Sequence, residues 1–285
     1  MLHIRPIPEE QANTRVQEIF QDIKKTLQVS IVPLLFQYIA NYEEYFAYSW
    51  EKIKINIQSD YFDDAYKQLI GWGQKAVREI YTPSTELQTF IIKLHEVEKE
   101  GLFDTVKKLQ ALNAKLLLIT IGMREGVKGV VVEHQALPKL GQTEVYQEIF
   151  ETFTNIVQES QSKSAAASTR MLAPLFGSSA LAFSHYADFF ALVASDVDTI
   201  MMREEYLTKR VLLEQESMQK ASGFRHPLGC TYAEITRFAA GKQHFVELLY
   251  ILSETFPTQF PRLLLTSSMM EKALQGDSTA LAKQN

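Results

Sequence analysis

With a single cysteine in 285 residues, Cys230, the chain cannot form an internal disulfide, a CxxC redox pair or a thiolate zinc cluster, and it suits a reducing compartment. An excess of positive charge is also missing. Lys and Arg number 29 against 34 Asp and Glu, a formal net charge of -5, which argues against a nucleic-acid partner. Long apolar runs are absent too. The longest uncharged stretch, Met171 to Ala187, is interrupted by Pro174, Gly177, Ser178, Ser179, Ser184 and His185 and is too short to span a bilayer, so no membrane segment is expected. The first ten residues, Met1 to Glu10, lack the basic start and apolar core of a secretion signal, and the expected location is the cytoplasm.

Strand patterning is equally scarce, whereas helical spacing recurs along most of the chain. Val16, Ile19, Phe20, Ile23 and Leu27 form one apolar stripe, with Gln17, Glu18, Lys24 and Lys25 on the opposite side. The same periodicity predicts helices near 33–40, 43–58, 61–80, 85–99, 103–123, 142–160, 186–197, 200–221, 231–240, 242–255 and 259–274. Only Gly126 to His134, with Val127, Val130, Val131 and Val132, reads as extended. One strand makes no sheet, and the expected class is all-α.

The organisation contains a repeat. Pro8 and Pro138 are followed at the same distance by one tetrapeptide, Gln17-Glu18-Ile19-Phe20 and Gln147-Glu148-Ile149-Phe150. Asn41 to Phe46 has a counterpart in His185 to Phe190, and Lys115 to Ile119 has a weaker one in Glu247 to Ile251. Two tandem helical repeats packed as a pseudo-dimer are therefore expected, with residues 1–125 and 138–285 as the repeats and 126–137 as a linker. A small-ligand pocket is expected between them.

Chemistry-bearing motifs are few. His95-Glu96 begins like a HExxH metal motif, but Lys99 stands where the second His is needed. His244 and Glu247 lie one turn apart without the further ligands of a di-metal bundle, so they read as structural, and neither a metal nor a cofactor is expected. The adjacent pairs Asp63-Asp64 and Glu43-Glu44 diverge on a helix, which makes them surface charges. Gly71-Trp72-Gly73 lacks a phosphate loop's spacing, and the aromatic run from Phe36 to Trp50 reads as core. Cys230 has no base placed for it by sequence and is not expected to act as a nucleophile.

Against this background, Asp22-Ile23-Lys24-Lys25-Thr26, followed by Val29, Ala40, Tyr45 and Trp50, resembles the group I 2-haloacid dehalogenases. Asn113-Ala114-Lys115-Leu116-Leu117-Leu118-Ile119-Thr120 is similar, with a one-residue length difference, to that family's Asn-x-Lys-x-Leu-Leu-Leu-Ile-Thr segment, and Ala180-Leu181-Ala182 and Tyr206 continue the likeness. The resemblance implies a duplicated all-helical plan and a hydrolase in which an Asp activates water to displace halide beside a carboxylate, with Asn113 in the same pocket. Where that Asp is expected, before Ala180, the chain reads Phe176-Gly177-Ser178-Ser179, and no carboxylate occurs between Gln161 and Ala187. A serine hydroxyl without its own base cannot deprotonate water.

The expected site therefore combines Asn113 and Ser178 with Gly177, Ser179, Ile31 and Leu34, and its expected ligand is a small molecule such as a short carboxylate. The expected function is a dehalogenase-like protein that lacks the family's hydrolysis. Two alternatives stand beside it: an active carbon–halide hydrolase with a displaced base, and a non-catalytic helical interaction module. A homodimer is compatible with the sequence.

Overall fold

The computed structural model describes residues 3–135, 186–230 and 232–276, and within them the secondary structure is helical with no strand. The expected helix at 142–160, the second copy of the tetrapeptide and the residues Gly177, Ser178 and Ser179 lie outside the described residues. A short 3-10 turn at Glu9–Gln11 leads into α1 (Thr14–Leu27), α2 (Leu34–Ile39), α3 (Glu43–Ile57), α4 (Asp60–Ile80), α5 (Thr85–Lys93) and α6 (Glu96–Gln135). After the gap come α7 (Ala187–Ile200), α8 (Glu204–Ala221), α9 (Tyr232–Ala239) and α10 (Phe245–Tyr250). A π-helical turn over Ile251–Thr255 then runs into α11 (Phe256–Gln275). No described helix is long and apolar enough to cross a membrane.

Local signals account for the starts. Asn13, Ser59 and Ser84 each accept a backbone N–H from three residues on, those of Val16, Phe62 and Leu87, so α1, α4 and α5 begin at side-chain caps. α1 buries Val16, Phe20, Ile23 and Leu27, the stripe expected from its spacing, and ends at Gln28 in the left-handed region at φ 58°.

Two boundaries differ from expectation. The break expected near residue 100 falls at Leu94 and His95 instead, because the Glu98 carboxylate accepts the His95 backbone N–H at 3.0 Å and starts α6 at Glu96. α6 passes through Gly101, whose missing Cβ leaves room for the Tyr186 hydroxyl; a Cβ there would lie 3.1 Å from it.

The second difference concerns Gly126 to His134, which is helical: α6 runs unbroken to Gln135. β-branched residues lower helix propensity by only tenths of a kcal/mol, which a few contacts outweigh. At Gly126 the contact is with the segment after α8, where an added Cβ would lie 2.2 Å from the Gly229 Cα. Only glycine lets the two backbones come so close.

The element order on the two sides of the gap is alike. Tyr42 and Tyr186 each precede a helix of similar length, α3 and α7. Each is followed, after a short turn, by a long helix (α4, α8), a short one (α5, α9) and a final long helical stretch. α6 is central: it packs on α4, α8, the π-helical turn and α11.

Candidate functional site

Asn113, the residue singled out by the resemblance, sits on α6 at 2% exposure, and its Nδ2 donates to the Leu263 carbonyl of α11 at 3.3 Å. One turn earlier, Gln110 donates from Nε2 to Ser268 Oγ at 3.0 Å and to Glu271 Oε2 at 3.1 Å. The buried Glu271 also accepts from Gln74 Nε2 on α4 at 2.7 Å and from Gln275 Nε2 at 3.2 Å. Small residues permit this close approach: Gly73 of α4 faces Ser268, and a Cβ there would come within 3.0 Å of its Oγ. The result is a polar seam where α4, α6 and α11 meet.

Asp196 of α7 is the other buried carboxylate among the described residues. Its Oδ2 accepts the Tyr81 hydroxyl at 2.6 Å and the Ser84 N–H at 3.0 Å. Burial first, and then the bond to Asp196, push the Tyr81 phenol far above its ordinary range.

A different environment lies on the opposite side of α6. Lys115 follows Asn113 by two residues, about 200° around the helix, and borders an open cleft of about 450 Å³. The cleft is lined by charged groups, Lys25, Lys54, Asp22 and Asp63, together with Thr26, Gln28, Gln58 and Tyr66. Asp22 accepts Trp50 Nε1 at 2.7 Å and Lys54 Nζ at 2.8 Å. Partial burial works against its ionisation, but those bonds and the Lys54 and Lys25 charges outweigh it and hold the carboxyl below its ordinary value. Lys115 makes no ion pair or hydrogen bond among the described residues; its Nζ lies 5.0 Å from the Tyr66 ring centre, and burial lowers its pKa. Both stretches that carry the family resemblance thus reach this cleft, through Asp22, Lys25 and Thr26 and through Lys115.

The remaining sequence candidates fall into place as follows. Ile31 and Leu34 stand at the entry to α2, both half-buried, with Leu34 packed on the core. Glu43 is tied to Arg15 and Asn13 at the surface. Among the Phe36 to Trp50 aromatics, Phe36 packs edge to face on Trp50 and Tyr45 on Phe245. The Cys230 thiol is buried, which pushes its pKa up to about 11 and leaves it largely protonated and unreactive at neutral pH. His244 and Glu247 gain an unforeseen partner in His3, brought alongside from the far end of the chain. No sequence signal marked His3, because its neighbours come from residues more than two hundred positions away.

No family model matches the chain. A stretch of 62 residues is 34% identical to an (R)-2-haloacid dehalogenase of Pseudomonas putida; it covers 22% of this chain and about a fifth, 21%, of that relative's length. Solved structures match over nearly the whole length. A D-2-haloacid dehalogenase mutant gives a TM-score of 0.72 at 15% identity, covering 96% of this chain and 97% of that one. A mutant in complex with D-2-CPA gives 0.71 at 14%, covering 96% and 97%. A complex with L-LA gives 0.66 at 15%, covering 96% and 98%. The local sequence match supports a distant haloacid dehalogenase-like relationship, and the structural matches show that the chain has the D-2-haloacid dehalogenase fold.

Proposed function

We propose that this protein uses a haloacid dehalogenase scaffold to bind a short carboxylate between its two helical halves, near Asn113, without hydrolysing carbon–halogen bonds. The observation that carries this reading is the state of the buried carboxylates. Displacement of halide by water needs a carboxylate free to take the water proton. Among the described residues the buried ones are Asp196, held by a phenol and a backbone N–H, and Glu271, held by three glutamine amides. Neither has the open approach that an attacking water requires. The stretch from Gln161 to Ala187, where the resemblance places the base, contains no carboxylate, and Ser178 and Ser179 offer neutral donors instead. Donors without a base suit recognition of a carboxylate group rather than its substitution chemistry.

The test combines a halide-release assay on both enantiomers of 2-chloropropionate with calorimetric titration of the same acids. No halide above the blank is expected, together with saturable binding that weakens at least about tenfold in Asn113→Ala and in Ser178→Ala. Lys115→Met, across the helix, should leave binding unchanged. Halide release abolished by Asn113→Ala would establish the displaced-base hydrolase. Absence of both release and binding would leave the interaction module.

A further inference from the structure

We propose that His3, His244 and Glu247 form a site for one late first-row divalent metal ion, of the Zn²⁺, Ni²⁺ or Co²⁺ type, at the joint between the N-terminal segment and α10. The proposal is independent of the carboxylate reading, since the two concern different residues. Among the described residues this is the group of His, Cys, Asp and Glu side chains whose donor atoms converge, all lying within 4.8 Å of one another. His3 Nδ1 stands 2.7 Å and His244 Nδ1 2.9 Å from the same oxygen, Glu247 Oε1.

The second carboxylate oxygen is already engaged. Glu247 Oε2 accepts the backbone N–H groups of His3 at 2.7 Å and of Ile4 at 3.1 Å, which fixes the carboxylate plane and leaves Oε1 aimed at the two imidazoles. This is the outer-shell orientation that metal-ligating groups require. The loop that presents His244 is anchored as well: the Tyr42 hydroxyl donates to the Gln243 carbonyl at 2.8 Å, and Tyr42 packs edge to face on Phe245.

Two imidazoles and one carboxylate match the borderline ions and suit neither Mg²⁺ nor Ca²⁺, which favour all-oxygen shells. Donors about 2.1 Å from a tetrahedral ion stand roughly 3.4 Å apart, so the present N···O separations must open by about 0.5–0.7 Å. The rings of His3 and His244 stack at 4.5 Å with 23° between their planes, and one ring must tilt for both lone pairs to meet an ion. The His3 side chain, 69% exposed, has that freedom. Water would complete the coordination sphere. The bound ion would staple residue 3 to a helix 244 positions away, joining the start of the chain to its second half.

The experiment uses untagged, chelator-treated full-length protein, because a histidine tag would add ligands beside His3. Zn²⁺ is titrated by calorimetry and Co²⁺ by visible absorption, with thermal melting in parallel, on the wild type, His3→Ala, His244→Asn and Glu247→Gln. Asparagine is chosen at 244 because that residue holds φ 62°, a conformation asparagine tolerates. The expected result is one ion per chain, a Co²⁺ spectrum that departs from the aqueous ion, and a melting temperature raised by Zn²⁺. Each variant should lose at least about tenfold in affinity, together with the Zn²⁺-dependent melting shift. Equal binding by all four proteins would overturn the proposal. So would a wild type that neither binds Zn²⁺ saturably nor alters the Co²⁺ spectrum, since the cluster would then be a hydrogen-bonded clasp alone.

Discussion

The seam between α6 and α11 and the lysine-lined cleft lie on opposite sides of one helix, two residues apart in sequence, and they treat their polar groups in opposite ways. In the seam, Gln110, Asn113, Ser268 and Glu271 are buried and joined to one another or to backbone. In the cleft, Lys115 is half-buried and makes no ion pair among the described residues. A buried polar group without a partner costs about 1–3 kcal/mol, so the bonds of the seam help fix how the helices meet, while the Lys115 ammonium stays open to solvent.

The largest effect should come from emptying the seam. Glu271→Ala removes an acceptor shared by Gln74, Gln110 and Gln275 and leaves a void beside Ser268. A loss of about 2–3 kcal/mol in urea-induced unfolding is expected, with Glu271→Gln recovering roughly half because one carbonyl oxygen remains. Glu271→Ala as stable as the wild type would show that the seam is no tighter than the cleft.

Asn113 sharpens the comparison from within the seam. Its bond to Leu263 is long, 3.3 Å, so its share of stability is modest: Asn113→Ala should cost about 1 kcal/mol. That figure separates the two roles assigned to Asn113. If ligand affinity falls tenfold or more while stability drops by only this amount, the amide acts mainly on the ligand. A stability loss of about 3 kcal/mol would make it chiefly an architectural residue.

How far the sequence revealed these regions follows from the range of the interactions involved. Apolar stripes such as Val16 to Leu27 and the caps at Asn13, Ser59 and Ser84 are local, and the all-helical class follows from them. The helical state of Gly126 to Gln135 was hidden because its determinant includes a close approach to Gly229, a hundred residues on. Asn113 stood out through a family likeness, but its partner Leu263 carries no polar side chain and donated no signal. Glu271, the centre of the seam, resembles any surface glutamate on α11 until Gln74 and Gln110 are folded against it. The His3, His244 and Glu247 cluster was half legible, as the one-turn spacing of the latter two, and it needed the chain's beginning to complete it.

The smallest expected effect tests the cleft itself. Burial lowers the pKa of Lys115, with Lys67 acting in the same direction and Asp63 opposing them. The folded state therefore gives up this proton at a lower pH than the unfolded chain, whose lysine titrates near the ordinary value of 10.5. Between the two pKa values the unfolded state binds more protons, so this residue makes stability rise with pH across that window and disfavours folding below it. Cys230 acts in the opposite direction: its thiol, raised to about 11 by burial, makes stability fall as pH climbs past the ordinary thiol range. The two slopes overlap, and the informative quantity is the difference between proteins. Lys115→Met keeps the aliphatic length that packs on Tyr66 and removes the charge. Urea unfolding of both proteins from neutral pH to about pH 10 should show the variant equal to or slightly more stable than the wild type at pH 7, with the gap closing as the pH rises. A Lys115→Met protein clearly less stable at pH 7 would mean that the ammonium is stabilised within the fold, and the contrast between cleft and seam would fail. Adding a small carboxylate at neutral pH refines the reading, since ligand held by the Lys115 charge would stabilise the wild type and leave the variant unmoved, whereas ligand held near Asn113 would stabilise both alike.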